Sequence, residues 1–254
     1  AEQPLAFLDH HLKTGNSLVG SDIEEIEELE SDAGGDGQNA SLADFGVARK
    51  GTIEQLMRIY QDFIAIENQE LADVKEMEAK YDEFERNKLR QRLEAMANVH
   101  AAEEFGLDNL PSDAYERMAA AMEDDNEWES IEQMQWFQDA QDWAERDRYF
   151  HWRIEYPETF YDDDGSERDS PGFDAVIGNP PWVRSINLKA ANYGLWKYYK
   201  KNYESASKGE YDIYLCFIEN GLSLLTDTGK FGYIVPNKWF TSQVGENLRS
   251  LLVQ

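Results

Sequence analysis

The spacing of apolar residues predicts that much of the chain is helical. From about Thr52 to Phe105, apolar residues recur every three or four positions with charged residues between them, which is the period of an amphipathic helix. The segments SDAYERMAAAME and DNEWESIEQMQWFQDAQDWAERDRYFHW predict two further helices. We therefore expect a packed helical bundle of about a hundred residues. One broad apolar side of it is lined by Trp128, Ile131, Trp136, Phe137 and Trp143.

From about Trp152 onwards the pattern becomes that of an α/β fold. FDAVIG (173–178) and KFGYIVP (230–236) predict short buried strands, and YDIYLCFIENGLSLLTDTG between them predicts a helix ended by Gly229. Strand, helix and strand form the unit of a parallel sheet. Ser17-Leu18-Val19 predicts the end of a strand, and the start of HWRIEYPETF predicts another short strand. A sheet of so few strands cannot bury its own apolar surface, and we therefore predict that it is part of a larger sheet.

These patterns divide the chain into four predicted segments. Residues 1–20 and 151–254 are core segments of an α/β sheet, and residues 21–51, acidic and rich in glycine, are a linker. Residues 52–150 are a helical insertion that opens the sheet. The predicted fold class is therefore α/β, although helix dominates by content.

The net charge is −27, from 51 acidic and 24 basic residues. One interpretation is a protein that mimics or avoids nucleic acid, and the other is a protein adapted to a high-salt cytoplasm. Because the acidic residues are spread along the chain, we favour the second. At high salt the attraction between lysines and phosphates is screened, so a DNA-binding protein there need not be basic. The predicted location is the cytoplasm of a high-salt-adapted prokaryote.

Cysteine, histidine and hydropathy argue against several classes of protein. The single Cys216 excludes a disulfide framework or a cysteine-rich zinc site within this chain. Four scattered histidines argue against a histidine-based metal site. No apolar run approaches the roughly 18 residues of a membrane span, and the first residues lack the pattern of a signal peptide. We predict no metal and no membrane partner.

The tetrapeptide Asn179-Pro180-Pro181-Trp182 directly follows FDAVIG. The two prolines fix two φ angles and remove two backbone donors, and ligands of open α/β sheets bind beyond the carboxyl ends of the strands. The Asn179 amide oxygen and the Pro180 carbonyl are two acceptors that suit an NH2 group, and Trp182 suits stacking on the ring that carries the amine. The alternative without a binding role is a rigid loop that follows a strand.

This tetrapeptide resembles the (N/D)PP(Y/F/W) motif of S-adenosylmethionine-dependent amino-methyltransferases. The flanking blocks LAFLDHHLKTGNSLVG, FHWRIEYPETFYDDDG and GEYDIYLCFIENGLSLLTDTGKFGYIVPNKWF are similar to those of large restriction–modification and phage-exclusion adenine methyltransferases. The resemblance implies a partial Rossmann-like methyltransferase sheet and methyl transfer from S-adenosylmethionine to adenine N6. The implied substrate is double-stranded DNA with a flipped adenine, since a stacked base cannot reach such a pocket.

The resemblance also implies roles for individual residues. Asn179 and Pro180 would hold the target amine, Pro181 would shape the turn and Trp182 would stack on the base. Asn16, in GNSLVG, stands where many relatives carry an aspartate that binds the cofactor adenine; a structural turn is the equal alternative. The family's Gly-rich cofactor loop is absent from this chain. We therefore expect an internal fragment that needs the rest of its parent polypeptide and is inactive alone.

Other functions and residues stay open at this stage. A protein-glutamine methyltransferase would use the same motif, and a non-catalytic acidic helical interaction module would not use it at all. Arg184 and Lys238, just after the two strands, are candidates for contacts to DNA phosphates or plain surface residues. Tyr211 and Asp212 open the helix after the motif, and a role in the substrate pocket is one alternative for them.

Overall fold

The computed structural model describes residues 11–22, 25–26, 40–66 and 71–253. The side chains of residues 40–48 and 71–72 are outside that description. The chain forms two compact units, Ala1–Arg168 and Asp169–Gln254. Residues 23–24 and 27–39 of the predicted 21–51 linker and half of the predicted 1–20 segment lie outside the described residues. Residues 40–51 of that predicted linker belong to a helix, and the domain limits stay a prediction.

The first unit is helical, as the apolar spacing predicts. The longest helix has 25 residues, and among the described residues no helix is both long and apolar enough to cross a membrane. The helices are α1 (Ala40–Ile64), α2 (Leu71–Glu85), α3 (Lys88–Phe105), α4 (Ala114–Ala120), α5 (Asp125–Glu132), α6 (Gln135–Asp147), α7 (Trp152–Glu155) and α8 (Pro157–Phe160).

Helix α3 lies at the centre of this unit because its apolar and small residues are inaccessible to solvent. Leu93, Met96 and Val99 have no exposed surface, and α3 packs against α1, α2, α6 and α7. Asn87 accepts hydrogen bonds from two amides of the first turn, and Gly106 ends the helix with φ of 105°, a conformation that glycine adopts without steric cost.

The single helix predicted after Asp125 is two helices. Met134 adopts an extended conformation (φ −79°, ψ 137°) that separates α5 from α6. The turn brings Trp128 edge-on to Phe137, with ring centroids 5.9 Å apart and planes at 90°. Both rings are buried, so the aromatic cluster that the sequence predicts is formed by two short helices.

Residues 16–22 lie alongside residues 148–153, although the sequence separates them by more than a hundred residues. The Phe150 amide donates to the Val19 carbonyl at 2.7 Å, and the Asn16 amide donates to the Arg148 carbonyl at 2.7 Å. The predicted strand end at 17–19 is wrong: these residues form a turn, closed by a 2.9 Å bond from the Val19 amide to the Asn16 carbonyl.

The short strand predicted in HWRIEYPETF is also wrong, because these residues form α7 and α8. Pro157 occupies the start of α8, where its fixed φ suits a first helical turn and its missing N–H has no role. Tyr156 leaves the helical conformation between the two helices, with φ of −132°. The apolar residues of this stretch are buried by two helical turns instead of a strand.

A hydrogen-bonded histidine, His151, is buried where residues 21 and 151 meet. The Ser21 amide donates to Nδ1 of His151 at 3.0 Å. Nδ1 is therefore an acceptor, so the neutral ring carries its proton on Nε2, which lies 2.8 Å from the Asn98 Oδ1 acceptor. Burial lowers the pKa of His151 to about 4, because the charged ring would lose its hydration.

The second unit contains a two-stranded parallel sheet connected through helices, which confirms the predicted strand–helix–strand order. Among the described residues this sheet has two strands, and neither 17–19 nor HWRIEYPETF adds another to it. The elements are β1 (Phe173–Gly178), α9 (Ser185–Ala191), α10 (Tyr193–Asn202), α11 (Glu204–Ser207), α12 (Ile213–Ser223), β2 (Leu225–Tyr233), two 3-10 turns (Asn237–Phe240 and Gln243–Gly245) and α13 (Glu246–Leu251).

The helix between the strands ends at Ser223, earlier than predicted, and Gly229 lies inside β2. Phe173 pairs with Leu225, but Ala175 already pairs with Lys230. Residues 226–229 therefore bulge out of the ladder, which explains why a turn sequence, TDTG, occurs within a strand. Regular pairing then runs to Gly178 opposite Tyr233.

Only one face of this sheet is covered, so the prediction of two buried strands is wrong. Phe231 and Tyr233 point to α12. A Cβ atom at Gly221 in that helix would lie 2.8 Å from Cε2 of Phe231 and 2.8 Å from the hydroxyl oxygen of Tyr233. On the opposite face Ile177 is 82% exposed and Ile234, just after β2, is 67% exposed. The reason is that a pair of strands with one packed helix leaves the second face without a neighbouring layer.

The acidic charge belongs almost entirely to the first unit. The second unit, from Asp169 onwards, has nine basic and eight acidic residues, a net charge of +1. The first unit therefore has a net charge of −28. Acidic residues do occur along the whole chain, but their excess over basic residues is confined to the first unit. The high-salt origin stays a prediction.

The buried His151 predicts a loss of stability in mild acid. Its folded pKa of about 4 lies below the unfolded value near 6.5, so the unfolded chain binds the extra proton as pH falls through that window. We expect the free energy of unfolding to fall by about 2 kcal/mol between pH 7.5 and 5. Urea titrations of wild type and His151→Gln measure this effect.

The decrease in the free energy of unfolding between pH 7.5 and 5 should be absent in His151→Gln. It should be retained in His11→Gln, because His11 is exposed. An equal loss of stability in all three proteins would show that other groups cause it.

Candidate active site

The tetrapeptide Asn179–Trp182, called here the corner, begins directly after β1. Asn179, Pro181 and Trp182 are exposed, and Pro180 is buried. The corner is thus held from below by one proline while its amide and its indole face solvent. The placement agrees with the rule that open α/β sheets present ligand-binding groups beyond the carboxyl ends of their strands.

Backbone hydrogen bonds fix the corner at both ends. On the side of β1, the Ile234 amide donates to the Gly178 carbonyl at 3.0 Å. On the other side, the Ile213 amide donates to the Val183 carbonyl at 2.8 Å. Four residues, two of them prolines with restricted φ, therefore connect two anchored points.

A second pair of bonds strengthens the anchor after the corner. The Ser185 amide donates to the Tyr211 carbonyl at 2.8 Å, and the Tyr211 amide donates to Ser185 Oγ at 3.1 Å. Ser185 and Tyr211 are both buried. Each bond is shielded from water, so losing one leaves an unpaired polar group in the interior.

The two side chains expected to contact substrate, Asn179 and Trp182, have no partner within the described residues. No hydrogen bond to the Asn179 amide and no aromatic ring against the Trp182 indole is found there. The indole is 60% exposed, a large accessible fraction for a residue type that is mostly buried on average. Both groups are therefore available to a ligand without the breaking of an internal contact.

The ring of Tyr233 supports the corner from beneath. A Cβ atom at Gly178, the last residue of β1, would lie 3.1 Å from Cε1 of Tyr233. Gly178 thus lets this ring pack under the strand end. Burial raises the pKa of Tyr233, so its phenol stays neutral at neutral pH.

Tyr211 is part of the anchor. Its side chain is 1% exposed and its hydroxyl donates to the Trp196 carbonyl at 3.3 Å. Burial raises the pKa of Tyr211. The backbones of Arg184 and Asp212 pair next to it as an isolated antiparallel β-bridge. Sequence reasoning missed this anchoring function because Ser185 and Tyr211 are 26 positions apart and no local pattern predicts their pairing.

The other candidates around the strand ends lie on the surface. Arg184 forms an exposed ion pair with Glu210 at 3.3 Å, a contact that contributes little to stability. Lys238 is exposed in a 3-10 turn. Phe240 is 60% exposed and stacks on Trp239 with ring centroids 4.1 Å apart.

The described residues do not make up a binding site for S-adenosylmethionine. Asn16 Oδ1 accepts from the nearby Leu18 amide at 3.4 Å, so its side chain takes part in the turn at 16–19. No Gly-rich loop follows β1 or β2. Among the described residues there is also no group of three His, Cys, Asp or Glu side chains suited to a metal ion.

Comparison with known proteins supplies the family. Residues 64–254 match the family model described as Eco57I restriction-modification methylase. The chain belongs to this family. No solved structure matches the chain.

Three relatives illustrate how much of a family member the chain represents. The type II restriction enzyme and methyltransferase RM.Eco57I of Escherichia coli is 34% identical over 80 residues, 32% of this chain and 8% of that protein. The type II methyltransferases M.PaeR7I of Pseudomonas aeruginosa and M.TthHB8I of Thermus thermophilus are 37% and 34% identical over 82 and 88 residues. These matches cover 32% of this chain and 14% and 20% of those proteins.

The anchor after the corner predicts a stability effect from a single hydroxyl. Ser185→Ala leaves the buried Tyr211 amide without its acceptor, which should lower the free energy of unfolding by roughly 1–3 kcal/mol. Ser223→Ala removes an exposed hydroxyl that bonds within its own helix, and should change it by less than about 0.5 kcal/mol. Urea unfolding followed by tryptophan fluorescence compares the two; equal effects would mean that the buried bond does not hold the corner.

Proposed function

We propose that this chain is the target-base-holding part of a DNA methyltransferase that transfers a methyl group from S-adenosylmethionine to adenine N6. The observation that carries the proposal is that the Asn179 and Trp182 side chains are exposed at the carboxyl end of β1. Membership of the Eco57I methylase family supports the reaction class. A buried indole at residue 182 would have argued against it, and the indole is 60% exposed.

The chemistry needs positioning more than acid–base strength. The lone pair of an aromatic amine is delocalised into the ring, which makes the nitrogen a poor nucleophile. Two acceptors, Asn179 Oδ1 and the Pro180 carbonyl, would each accept a hydrogen bond from one N–H of the amine. These bonds would direct the nitrogen lone pair towards an electrophile. The corner contains no ionisable side chain, so the rate gain would come from orientation and fixed dipoles.

The target adenine would have to leave the DNA helix to reach the corner. Flipping a base out costs a few kcal/mol of lost stacking and pairing. Stacking on an aromatic side chain contributes about 1–3 kcal/mol per base, so the free face of Trp182 would offset much of that cost. The backbone bonds on both sides of the corner fix the position of the Trp182 Cα before the base arrives.

S-adenosylmethionine supplies the methyl group when it is bound. Because the described residues do not fit that cofactor, we propose that other parts of a longer parent polypeptide bind it. Two observations support this division: the uncovered sheet face around Ile177 and Ile234, and the 8–20% of the relatives' length that the chain spans. The helical unit would then be an insertion between core segments, since residues 19 and 150 lie side by side.

A protein glutamine side chain would offer the corner a similar NH2 group. The relatives found by comparison bear the names of type II methyltransferases, which favours DNA. A non-catalytic helical module is not favoured either, because family similarity reaches through the corner to residue 254.

Replacing Asn179 tests the proposal directly. Asn179→Ala in the intact enzyme should lower the rate of adenine methylation on the order of 100-fold, because one hydrogen bond to the reacting amine is lost. Asn187→Ala, an exposed asparagine on α9, is the matched control and should leave the rate unchanged. The measurement is methyl incorporation into duplex DNA, with a glutamine-containing peptide as the second substrate.

Normal adenine methylation by folded Asn179→Ala would contradict the proposal. Methylation of the peptide and not of DNA by the intact enzyme would show that the substrate is a protein glutamine.

Trp182 should act through its ring. Trp182→Ala should weaken binding of the flipped base by roughly 5- to 150-fold, the equivalent of one lost stack. Trp182→Phe should retain most of that affinity because its ring also stacks. Fluorescence of 2-aminopurine at the target position reports base flipping; equal signals from the alanine variant and wild type would exclude stacking on this indole.

The chain alone should bind S-adenosylmethionine weakly or not at all and should lack methyltransferase activity. Isothermal titration calorimetry of the 254-residue chain with the cofactor measures this. A dissociation constant in the micromolar range would show that the cofactor site is present after all.

A further inference from the structure

The solvent face of α10 combines lysines with aromatic rings. With 3.6 residues per turn, Tyr193, Trp196, Lys197 and Lys200 fall on one side of the helix, and Tyr198 and Tyr199 on the opposite, buried side. We call the first set, together with Lys189 at the end of α9, the lysine–aromatic face.

The side chains of this face contact one another. Tyr193, which is 59% exposed, stacks on Trp196 with ring centroids 5.5 Å apart and planes at 23°. The Lys189 ammonium lies 4.5 Å from the centre of the Trp196 ring, and the Lys200 ammonium lies 5.5 Å from it. The result is a flat aromatic surface with a cation on each of two neighbouring helices.

The lysines of this face are not neutralised. Among the residues that the structure describes, Lys189, Lys197 and Lys200 form no ion pair. In the first unit, by contrast, most basic residues pair with carboxylates, namely Lys13, Lys50, Arg58, Lys80, Arg86, Lys88, Arg90, Arg92, Arg146, Arg153 and Arg168.

Such a concentration of positive charge lowers the stability of the folded chain in the absence of a ligand. Lys197 and Lys200 are three positions apart on one helix, where like charges repel. A chain with 51 acidic residues has carboxylates enough to neutralise them. The C-terminal ends of α9 and α10 attract Lys189 and Lys200, but that attraction does not account for Lys197, for the exposed ring of Tyr193 or for the partly exposed ring of Trp196 between the cations.

We propose that the lysine–aromatic face binds the phosphate backbone of duplex DNA beside the target base. The inference rests on the proposed function, because Lys189 is only seven positions after Trp182. Three residues of extended chain and one turn of α9 place the two Cα atoms at most roughly 17 Å apart. That distance is about five base-pair steps of 3.4 Å, so a base at Trp182 would bring nearby phosphates within reach of the face.

Salt dependence of DNA binding tests this proposal independently of methylation. Each lysine that neutralises a phosphate contributes about 0.9 to the slope of log K against log salt concentration. The triple variant Lys189→Gln, Lys197→Gln and Lys200→Gln should therefore bind a labelled duplex of about 30 base pairs more weakly at about 50 mM salt, with a slope smaller by about 2.7. Between about 50 and 200 mM salt its affinity should fall about 40-fold less than that of wild type.

A control with the same charge change separates the face from net charge. Lys50→Gln, Lys75→Gln and Lys230→Gln remove three exposed lysines elsewhere and should leave the slope within about 0.5 of wild type. An unchanged slope in the first variant, equal slopes in both variants or absence of salt-dependent binding by wild type would overturn the proposal. So would loss of self-association with unchanged DNA binding, which would assign the face to the acidic unit of a second copy.

The outcomes also separate this proposal from the proposed function. A reduced slope without adenine methylation by the intact enzyme would retain the DNA-binding face and reject the reaction. Normal methylation with an unchanged slope would retain the reaction and reject the face.

Discussion

A short backbone segment fixed at both ends is the constraint on which the proposed chemistry depends. The Gly178 and Val183 carbonyls each accept a hydrogen bond from a distant amide, and two prolines restrict the four residues between them. An indole that is 60% exposed would ordinarily lose several rotamers when a ligand binds. Because the backbone is already held, that side-chain cost is the main one: the path of the chain need not be ordered as well, which is the general benefit of preorganisation for binding and catalysis.

The division of charge between the two units fits the same picture. The helical unit carries a net charge of −28, while the unit with the corner carries +1, and Lys197 and Lys200 on α10 form no ion pair within the described part of the chain. A strongly acidic surface repels DNA phosphates over a distance set by salt. The near-neutral unit is therefore the part of the chain on which a polyanionic substrate would be accepted, and the lysine–aromatic face would orient it.

Sequence reasoning predicted features that depend on local spacing. The helices of the first unit, the parallel strand order and the position of the corner follow from apolar periodicity, from the strand–helix–strand unit and from Pro180-Pro181. It failed where distant residues decide. HWRIEYPETF has the composition of a strand, but packing and Pro157 favour two helical turns. The pairing of Ser185 with Tyr211 and the burial of His151 have no signal in local sequence.

The structure of the intact enzyme bound to duplex DNA with its target adenine tests the central claim most directly. The account predicts an adenine outside the helix, stacked on Trp182, with its N6 about 2.7–3.2 Å from both Asn179 Oδ1 and the Pro180 carbonyl. The backbone of residues 178–183 should be the same with and without DNA. A target base bound elsewhere, or a corner that reorganises when DNA binds, would contradict the account.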